Sequence, residues 1–413
     1  MSEVRVLVVS QYFWPENFRI NEVVASLVER GIEVDILTGK PNYPEGKIST
    51  GYRAWGCQQE QWKGAKVHRV PLFPRGQNSR LRLTLNYLSF IFFGLVSGSW
   101  LVRKRQYDVI FVYGLSPILL AIPGLFIGRL KRKKVILWVQ DLWPESLSAT
   151  GYVRNNIIIS TVRQVVRWIY RRADLLLVQA RSFEASIRAL ASDTPIIYYP
   201  NSVDDAFAVP AKSEPPAVAG LGEEFSVMFA GNIGAAQAMD VIVEAALLLK
   251  EHGDIHFVVL GDGSCRVEML EAAQKRNLKN LHLPGRFPME TMPGFMQKAS
   301  VLLVTLADRP IFAATVPNKV QAYLAAGRPI IACLNGEGAR LVVEAGAGLS
   351  TPAEDAQALA DTILRLYRLS PSDREKMGDN GRRYYQEHFN HEHLVDELIG
   401  HLQSASQNGK AIQ

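Results

Sequence analysis

The fold of this chain is decided by a strand that runs into a glycine turn, Ser226-Val-Met-Phe-Ala-Gly231-Asn-Ile-Gly234. Its near-continuous apolar run is typical of a strand buried on both faces of a parallel sheet. The pattern returns at once, because the apolar run Ile255–Leu260 ends in Gly261-Asp-Gly263. Glycines after a strand let the backbone approach a phosphate, which exposed N–H groups and a helix dipole stabilise. Either turn alone is weak evidence, but two at successive strand ends indicate a nucleotide crevice.

Working outward, strands and helices alternate along most of the 413 residues, a length that suits about two domains. Helical patterns lie, for example, at Asn21–Arg30, Met239–Glu251 and Arg266–Arg276. The alternation predicts an α/β protein with two doubly wound, Rossmann-like domains. The predicted strands are Val4–Ser10, Glu33–Thr38, Lys66–Pro71, Val109–Val112, Val135–Val139, Leu175–Gln179, Ile196–Tyr199, Ser226–Ala230, Ile255–Leu260, Leu281–Leu283, Val301–Thr305 and Pro329–Ala332.

The domain boundary is predicted in a polar, Pro/Ala-rich stretch without periodicity. We expect a first domain at 1–205, a linker at 206–222 and a second domain at 223–390. Residues 391–413 are expected to form a helix that returns toward the first domain, followed by a tail.

A third motif, Thr315-Val-Pro317-Asn-Lys319, is followed by an apolar helical pattern as far as Gly327. Proline and glycine are the residues expected at the start and end of a helix. Lys319 then lies in the first turn, where a cation opposes the helix dipole. A bound diphosphate would account for it, and a solvated surface lysine is the alternative.

The first strand-to-helix junction reads Ser10-Gln-Tyr-Phe-Trp-Pro-Glu-Asn-Phe-Arg19 and lacks glycine. Doubly wound sheets bind ligands at such junctions. The absence of GxGxxG argues against a nicotinamide-dependent dehydrogenase. A loop packed by its own aromatic side chains is the alternative to a ligand site.

Three widely spaced cysteines, Cys57, Cys265 and Cys333, occur without a CxxC or His/Cys cluster. Neither a disulfide framework nor a zinc site is expected, which fits a reducing compartment. The N-terminus lacks a signal-peptide pattern, so we expect a cytoplasmic protein. No Asp-x-Asp pair follows a strand, and no metal is expected.

Charge is concentrated in one region. Residues 75–172 carry 16 Lys or Arg and three acids, a local +13 within a chain of net +6, so the remainder is −7. This region contains 20 consecutive uncharged residues, 83–102, enough to span a bilayer. The polar residue Asn86 and the position of a crossover helix favour a core helix with one apolar face on an anionic membrane. A true span and nucleic-acid binding are the alternatives, and no nucleic-acid recognition module supports the latter.

The ordered motifs Gly231-Asn-Ile-Gly234, Gly261-Asp-Gly263-Ser264, Gly285-Arg-Phe-Pro288 and Pro317-Asn-Lys319 resemble glycosyltransferase family four, of GT-B fold. The first half agrees through Tyr12-Phe-Trp-Pro-Glu16, Leu37-Thr-Gly-Lys-Pro-Asn-Tyr-Pro44, Asp141-Leu-Trp-Pro-Glu145 and Pro200-Asn-Ser-Val-Asp204. The set looks most like the branch that assembles O-antigen, capsule and colanic acid, which includes N-acetyl-L-fucosamine transferases.

The chain departs from the family pattern at several positions. Ala313 and Gln321 replace two glutamates, Asn232 and Gln237 replace an arginine and a lysine, and Tyr113-Gly-Leu-Ser116 replaces a loop with a histidine. A neutral amide at 321 can hydrogen-bond a hydroxyl but cannot be a charged acceptor.

The resemblance implies a retaining, metal-independent transferase with no cofactor and two Rossmann-like domains that face a central cleft. Its implied partners are a nucleotide-sugar donor, UDP-linked and carrying an N-acetylated deoxyhexose, a polyprenyl-diphosphate-linked glycan acceptor and the anionic inner face of the cell membrane. A non-catalytic glycosyltransferase-like subunit and a GT-B-like nucleotide-sugar epimerase are the alternatives.

The resemblance also assigns site residues. The catalytic candidates are Asp141, Glu145 and Lys319. The donor-binding candidates are Gly231, Asn232, Gly234, Gly261, Gly263, Arg266, Arg286, Phe287, Pro317, Asn318, Lys319 and Gln321. The acceptor candidates are Trp14, Glu16, Asn17 and Arg19.

Overall fold

Two separate sheets organise the chain, one in each of two units. The computed structural model describes residues 4–77, 79–149, 155–203, 207–209, 214–222 and 224–408. One unit comprises Met1–Pro200 with Glu392–Gln413, and the other comprises Asn201–His391.

The first unit contains an eight-stranded sheet in the order β3-β4-β2-β1-β5-β6-β7-β8. All neighbouring strands are parallel except the β3–β4 pair. Its strands are β1 Arg5–Val9, β2 Glu33–Thr38, β3 Gln58–Trp62, β4 Ala65–Arg69, β5 Val109–Gly114, β6 Lys134–Val139, β7 Leu175–Val178 and β8 Ile196–Tyr198. Its helices are α1 Arg19–Glu29, α2 Arg80–Phe93, a π-helical turn Gly94–Gly98, α3 Ser99–Leu101, a 3-10 turn Ile118–Ala121, α4 Ile122–Lys131, α5 Glu145–Ala149, α6 Asn156–Arg172 and α7 Phe183–Arg188.

The second unit contains a six-stranded parallel sheet in the order β11-β10-β9-β12-β13-β14. This is the doubly wound order, with its switch point between β9 and β12. The strands are β9 Phe225–Asn232, β10 Ile255–Asp262, β11 Leu281–Gly285, β12 Val301–Thr305, β13 Ile330–Cys333 and β14 Gly348–Thr351. The helices are 3-10 turns at Ala235–Gln237 and Met289–Thr291, α8 Met239–Leu248, α9 Arg266–Lys275, α10 Met292–Lys298, α11 Pro310–Ala313, α12 Asn318–Ala326, α13 Glu337–Glu344, α14 Ala356–Arg368 and α15 Pro371–His388.

The last helix, α16 His391–Asn408, belongs to the first unit from Glu392 onward. Its residues Leu398 and Leu402 are fully buried in the core that β1 shares with α1. The Tyr199 hydroxyl also donates to the Leu394 carbonyl at 2.9 Å. The chain therefore returns to its first sheet after completing the second.

The twelve predicted strands are present, and each end lies within two residues of its predicted position. Two further strands were not predicted, β3 and β14, because neither carries an apolar run. The first segment of the first unit ends at Pro200, five residues before the predicted boundary. Of the predicted linker, positions 206 and 210–213 lie outside the described residues, and the described part belongs to the second unit.

Candidate functional site

Two glycine turns meet at the carboxyl ends of β9 and β10. The register places Gly261 opposite Gly231 and Asp262 opposite Asn232. Both glycines have positive φ angles, +139° and +144°, which other residues rarely adopt. A Cβ atom on Gly261 would lie 1.8 Å from the Gly231 carbonyl oxygen. The turns therefore need glycine for both conformation and space.

A pocket of about 340 Å³ opens at these turns, a size suited to part of a nucleotide. Phe287 forms part of its wall and packs against Phe295, with ring centroids 4.8 Å apart. The pocket is lined by Gly231, Asn232, Leu260, Gly261, Asp262, Arg286, Phe287, Met289 and Met292.

Lys319 lies beside the same turns, in the first turn of α12. Its Nζ is 3.6 Å from the centroid of the Phe229 ring, and a Cβ on Gly231 would lie 2.5 Å from its Cε. No ion pair within the described residues involves Lys319. Burial lowers the pKa of Lys319 to about 7. An ammonium group in this position is stabilised by a bound anion.

Hydrogen bonding fixes α12 against the sheet. The Tyr323 hydroxyl, which is buried, accepts from the Ala230 amide at 3.1 Å, immediately before Gly231. The helix begins after Pro317 and ends at Gly327, whose φ of +68° closes it, as the sequence predicts. Lys319 is thus held next to the glycine turns by its own helix.

The remaining donor-side candidates do not line the pocket. Gly234 packs against Asn232, whose amide donates to Gln237 at 3.1 Å. Gly263 donates its N–H to the Asp262 carboxylate at 2.8 Å. Pro317 and the exposed Asn318 stand at the start of α12.

Arg266 and Gln321 do not line this pocket. Arg266 begins α9 and donates to the Leu283 carbonyl at 3.2 Å, in the middle of β11, and a Cβ on Gly285 would lie 3.7 Å from its Nη2. Gln321 is fully buried in α12, and both of its amide atoms lack a partner among the described residues. Their roles in donor binding stay predictions.

Four lining residues were missed by sequence reasoning: Leu260, Asp262, Met289 and Met292. Asp262 stood inside a recognised glycine motif and could have been chosen for its position alone. The methionines follow Gly285-Arg-Phe-Pro288, and their type does not separate a pocket wall from a core.

In the first unit, Glu16 is a buried support for two loops. Its carboxylate accepts from the backbone amides of Asn42 and Tyr43, each at 2.7 Å, and from Phe13 at 3.3 Å. Burial raises the pKa of Glu16 to about 7, against the lowering effect of these hydrogen bonds. Trp14 is exposed and available to a ligand.

The other acceptor-side candidates lie at the start of α1. Asn17 is exposed, and Arg19 forms an ion pair with Glu22 one turn further along. Their contribution to acceptor binding stays a prediction.

Asp141 follows β6 and joins neighbouring loops. Its carboxylate accepts from the Ser146 and Ser116 hydroxyls, and burial raises its pKa. Glu145 is exposed in the first turn of α5, where a carboxylate suits the helix dipole. Asp141 and Glu145 belong to the first unit and Lys319 to the second. The proposed catalytic roles of these three residues stay predictions.

Comparison with known proteins identifies the family. A family profile described as "Glycosyl transferases group 1" matches residues 224–368, and one described as "Glycosyl transferase 4-like domain" matches residues 17–202. The chain belongs to the group 1 glycosyltransferases. One profile falls in each unit, and β1 precedes the match in the first unit. The pocket at the glycine turns lies within the group 1 profile.

This glycosyltransferase has relatives among bacterial proteins. It is 25% identical over 342 residues to the Escherichia coli K12 glycosyl transferase WcaI, named for colanic acid biosynthesis, covering 78% of this chain and 82% of WcaI. It is 27% identical over 327 residues to WbjE of Pseudomonas aeruginosa, named as a glycosyltransferase, covering 77% and 79%.

Solved structures show that this glycosyltransferase has the GT-B fold. Sucrose-phosphate synthase from Thermosynechococcus elongatus matches with a TM-score of 0.72 at 18% identity, covering 97% of this chain and 99% of that one. Anabaena Alr3699/HepE, solved with UDP and glucose, matches with a TM-score of 0.66 at 13% identity, covering 97% and 100%.

A second surface of the glycosyltransferase lies on the helical segment Arg80–Leu101, which combines α2, the π-helical turn and α3. Within the described residues it alone is long and apolar enough to cross a membrane, judged by length and composition. Six large apolar side chains at helical spacing are 39–70% exposed and form what we call the apolar stripe. The apolar stripe consists of Leu81, Leu85, Leu88, Phe92, Val96 and Trp100.

The opposite face of this segment packs into the first unit. Cβ atoms on Gly94 and Gly98 would lie 2.8 Å from Pro123 and Leu37 respectively, so the backbone approaches closely. Asn86 is fully buried and uses all its hydrogen-bonding capacity. Its amide nitrogen donates to the Asn42 side chain at 3.1 Å and the Phe73 carbonyl at 2.6 Å. Its oxygen accepts from the Gln11 and Tyr12 side chains at 2.6 and 3.5 Å.

Proposed function

We propose that this glycosyltransferase takes a sugar from a UDP-linked donor and transfers it, with retention of configuration, to a lipid-linked glycan. The observation that carries the proposal is Lys319, a partly buried ammonium beside the Gly231 turn without a carboxylate partner in the described residues. A nucleoside diphosphate supplies the missing negative charge. The solved Anabaena protein with UDP and glucose supports the choice of nucleotide through its fold.

Lys319 would stabilise the leaving diphosphate. As the bond from the anomeric carbon to the phosphate oxygen breaks, negative charge develops on that oxygen, and Lys319 and the amino end of α12 both favour it. The acceptor oxygen bonds to the anomeric carbon on the same face, and its proton passes to the departing phosphate. Such a mechanism needs no protein base. That agrees with Glu16 and Asp141, whose carboxylates are engaged in hydrogen bonds.

The acceptor and the transferred sugar are proposed from the relatives that this chain resembles. WcaI is named for colanic acid biosynthesis, and the resemblance to that branch of the family implies a lipid-linked acceptor. We therefore propose a polyprenyl-diphosphate-linked acceptor, and an N-acetylated deoxyhexose as the sugar transferred.

We further propose that the apolar stripe docks on the anionic inner face of the cell membrane. The exposed bases Arg80 and Arg82 precede most of the stripe, and Arg103 and Lys104 follow it. Each base near an anionic surface contributes about 1 kcal/mol. Partial insertion of the stripe adds about 25 cal/mol per Å² of apolar area buried. If this helical segment crossed the bilayer, the four hydrogen bonds of Asn86 would break. Peripheral membrane binding is therefore favoured over a transmembrane span.

The test is a transfer assay with a panel of UDP-sugars and a polyprenyl-diphosphate-linked acceptor. We expect a glycolipid product whose anomeric configuration, read by NMR coupling constants, equals that of the donor. Inversion would refute the proposed mechanism. UDP binding without turnover on any donor would favour the non-catalytic subunit suggested by Ala313 and Gln321. An altered sugar nucleotide formed without acceptor would favour an epimerase.

A further inference from the structure

A cavity of about 510 Å³ lies in the second unit, at the edge of the sheet opposite the pocket at the glycine turns, which we call the donor pocket after its proposed ligand. Ser300 and Pro329 line it and immediately precede β12 and β13. The donor pocket is built from residues at the carboxyl ends of β9 and β10. Since all strands of this sheet are parallel, the two sites are at opposite edges. We call this site the arginine cavity, after Arg328, Arg374 and Arg382 in its wall.

The three arginines differ in how many hydrogen bonds and ion pairs their guanidinium groups form within the described residues. Arg374 donates to the carbonyls of Leu366, Tyr367 and Leu369 at 2.8–3.1 Å, and so closes the end of α14. Arg328 donates to the Gln297 carbonyl and forms no ion pair within the described part of the chain. Arg382 donates to the Ala326 carbonyl at 3.5 Å, and Asp379 lies 3.9 Å from it. Each of these two guanidinium groups has five N–H donors, so each keeps donors that can bind a ligand.

These two guanidinium groups are close enough to repel each other. Arg382 lies over Gly327, where a Cβ would be 2.5 Å from its Nη2, and Arg328 is the next residue. Burial lowers the pKa of Arg328, and the positive charge of Arg382 lowers it further. A planar guanidinium fork matches phosphate oxygens, and two forks at one cavity suit a single phosphate group.

The rest of the wall indicates what the phosphate is attached to. Glu375 and Asp379, one helical turn apart on α15, line the same cavity. Their carboxylates accept hydrogen bonds from hydroxyl groups and disfavour a compact polyanion. Phe207 adds an aromatic surface. A volume of about 510 Å³ accommodates a ligand larger than phosphate alone.

We propose that the arginine cavity binds a hydroxylated phosphate monoester, such as a sugar phosphate, with Arg328 and Arg382 on the phosphate and Glu375 and Asp379 on the hydroxyls. The ligand contacts the carboxyl end of α12, whose first turn carries Lys319. Binding at one end of this nine-residue helix therefore alters UDP affinity at the other. The site itself is independent of the proposed function, and only this coupling rests on it.

The experiment titrates glucose 6-phosphate, inorganic phosphate and glucose into the full chain by calorimetry. The variants are Arg382→Gln and Arg328→Gln. The matched control is Arg383→Gln, because Arg383 is exposed on the same helix and bonds Asn380. Each titration is repeated in Lys319→Met, which weakens any anion binding at the donor pocket. Thermal unfolding checks that each variant is folded. If Arg328→Gln does not fold, Arg382→Gln alone tests the site, because Arg382 is the more exposed of the two.

We expect glucose 6-phosphate to bind the parent, Lys319→Met and Arg383→Gln alike, and Arg382→Gln at least about tenfold more weakly. Phosphate should bind more weakly than glucose 6-phosphate, and glucose should not bind. No binding of glucose 6-phosphate at millimolar concentration overturns the site. Binding that survives Arg382→Gln but is lost in Lys319→Met places the anion in the donor pocket and also overturns it.

UDP titrations with and without glucose 6-phosphate test the coupling. A changed UDP affinity supports it, and an unchanged one removes the coupling while the site stands. Failure of UDP to bind the parent protein counts against the proposed function, whereas the glucose 6-phosphate result does not depend on it.

Discussion

UDP binding should draw a proton onto Lys319. Its pKa in the free protein is about 7, against 10.5 ordinarily, because burial disfavours the charged form. A diphosphate beside the ammonium favours the charged form and raises the pKa again. At pH 8 the free side chain carries about 0.1 proton and the bound one about 1, so binding takes up about 0.9 proton. At pH 6 the uptake by this group falls to about 0.1.

Because UDP binding is coupled to proton uptake by Lys319, the affinity for UDP also depends on pH. The pKa is lower in the free protein than in the complex, so binding weakens as the pH rises above 7. The expected slope approaches tenfold per pH unit, about 1.4 kcal/mol. In Lys319→Met both the slope and the uptake disappear. Loss of a charge-assisted contact also costs about 1.5–3 kcal/mol, a fall in affinity of about 10- to 150-fold.

Calorimetry measures both quantities. UDP is titrated between pH 7.5 and 9, above the ionisation of a terminal phosphate at about 6, in buffers of different ionisation enthalpy. The control is Lys275→Met, which removes an exposed lysine from the same unit and should behave as the parent. Equal proton uptake by the parent and Lys319→Met would refute the reasoning. So would an affinity that does not change with pH in this range.

Three further outcomes are expected. Gly261→Ala should lose UDP binding in calorimetry, because its Cβ would lie 1.8 Å from a carbonyl oxygen, whereas Gly253→Ala, with nothing within 4 Å, should bind normally. Leu88→Gln with Phe92→Gln should reduce co-sedimentation with anionic vesicles, while Val343→Gln, exposed on the other unit, should not. Parent binding should fall as salt rises, and equal binding to neutral vesicles would contradict the electrostatic part. Transfer should persist in EDTA, because Lys319 supplies the positive charge; loss on chelation with recovery on Mn²⁺ addition would refute this.

The sequence predicts the strands whose residues are buried on both faces, such as β5 and β9. It does not predict β3, Gln58-Gln-Glu-Gln-Trp62, whose polar residues resemble a loop. That strand is held by its pairing with β4 and by side-chain hydrogen bonds to residues outside it. Gln58 accepts from Lys40 at 3.0 Å and Glu60 accepts from Arg69 at 2.7 Å. Only the folded sheet brings these pairs together.

The pocket at the glycine turns is predictable from the sequence as far as its backbone conformation requires particular residues. Gly231 and Gly261 are recognisable because they follow strands, and Lys319 because a cation opposes its helix dipole. The depressed pKa of Lys319 depends on burial, which the sequence does not display. Position at a strand end also does not distinguish the exposed Trp14 from the buried Glu16.

The helical segment Arg80–Leu101 tolerates substitution differently on its two faces, and Asn86 is the clearest example. At the outward positions any apolar residue of similar size preserves the surface, so one apolar residue can replace another there. At position 86 an aspartate loses the two donated hydrogen bonds, and a leucine leaves four neighbouring groups without their partner. A saturation library of residues 80–101 should therefore be permissive at a helical period on one side. On the other side it should accept little but asparagine at 86 and little but glycine at 94 and 98.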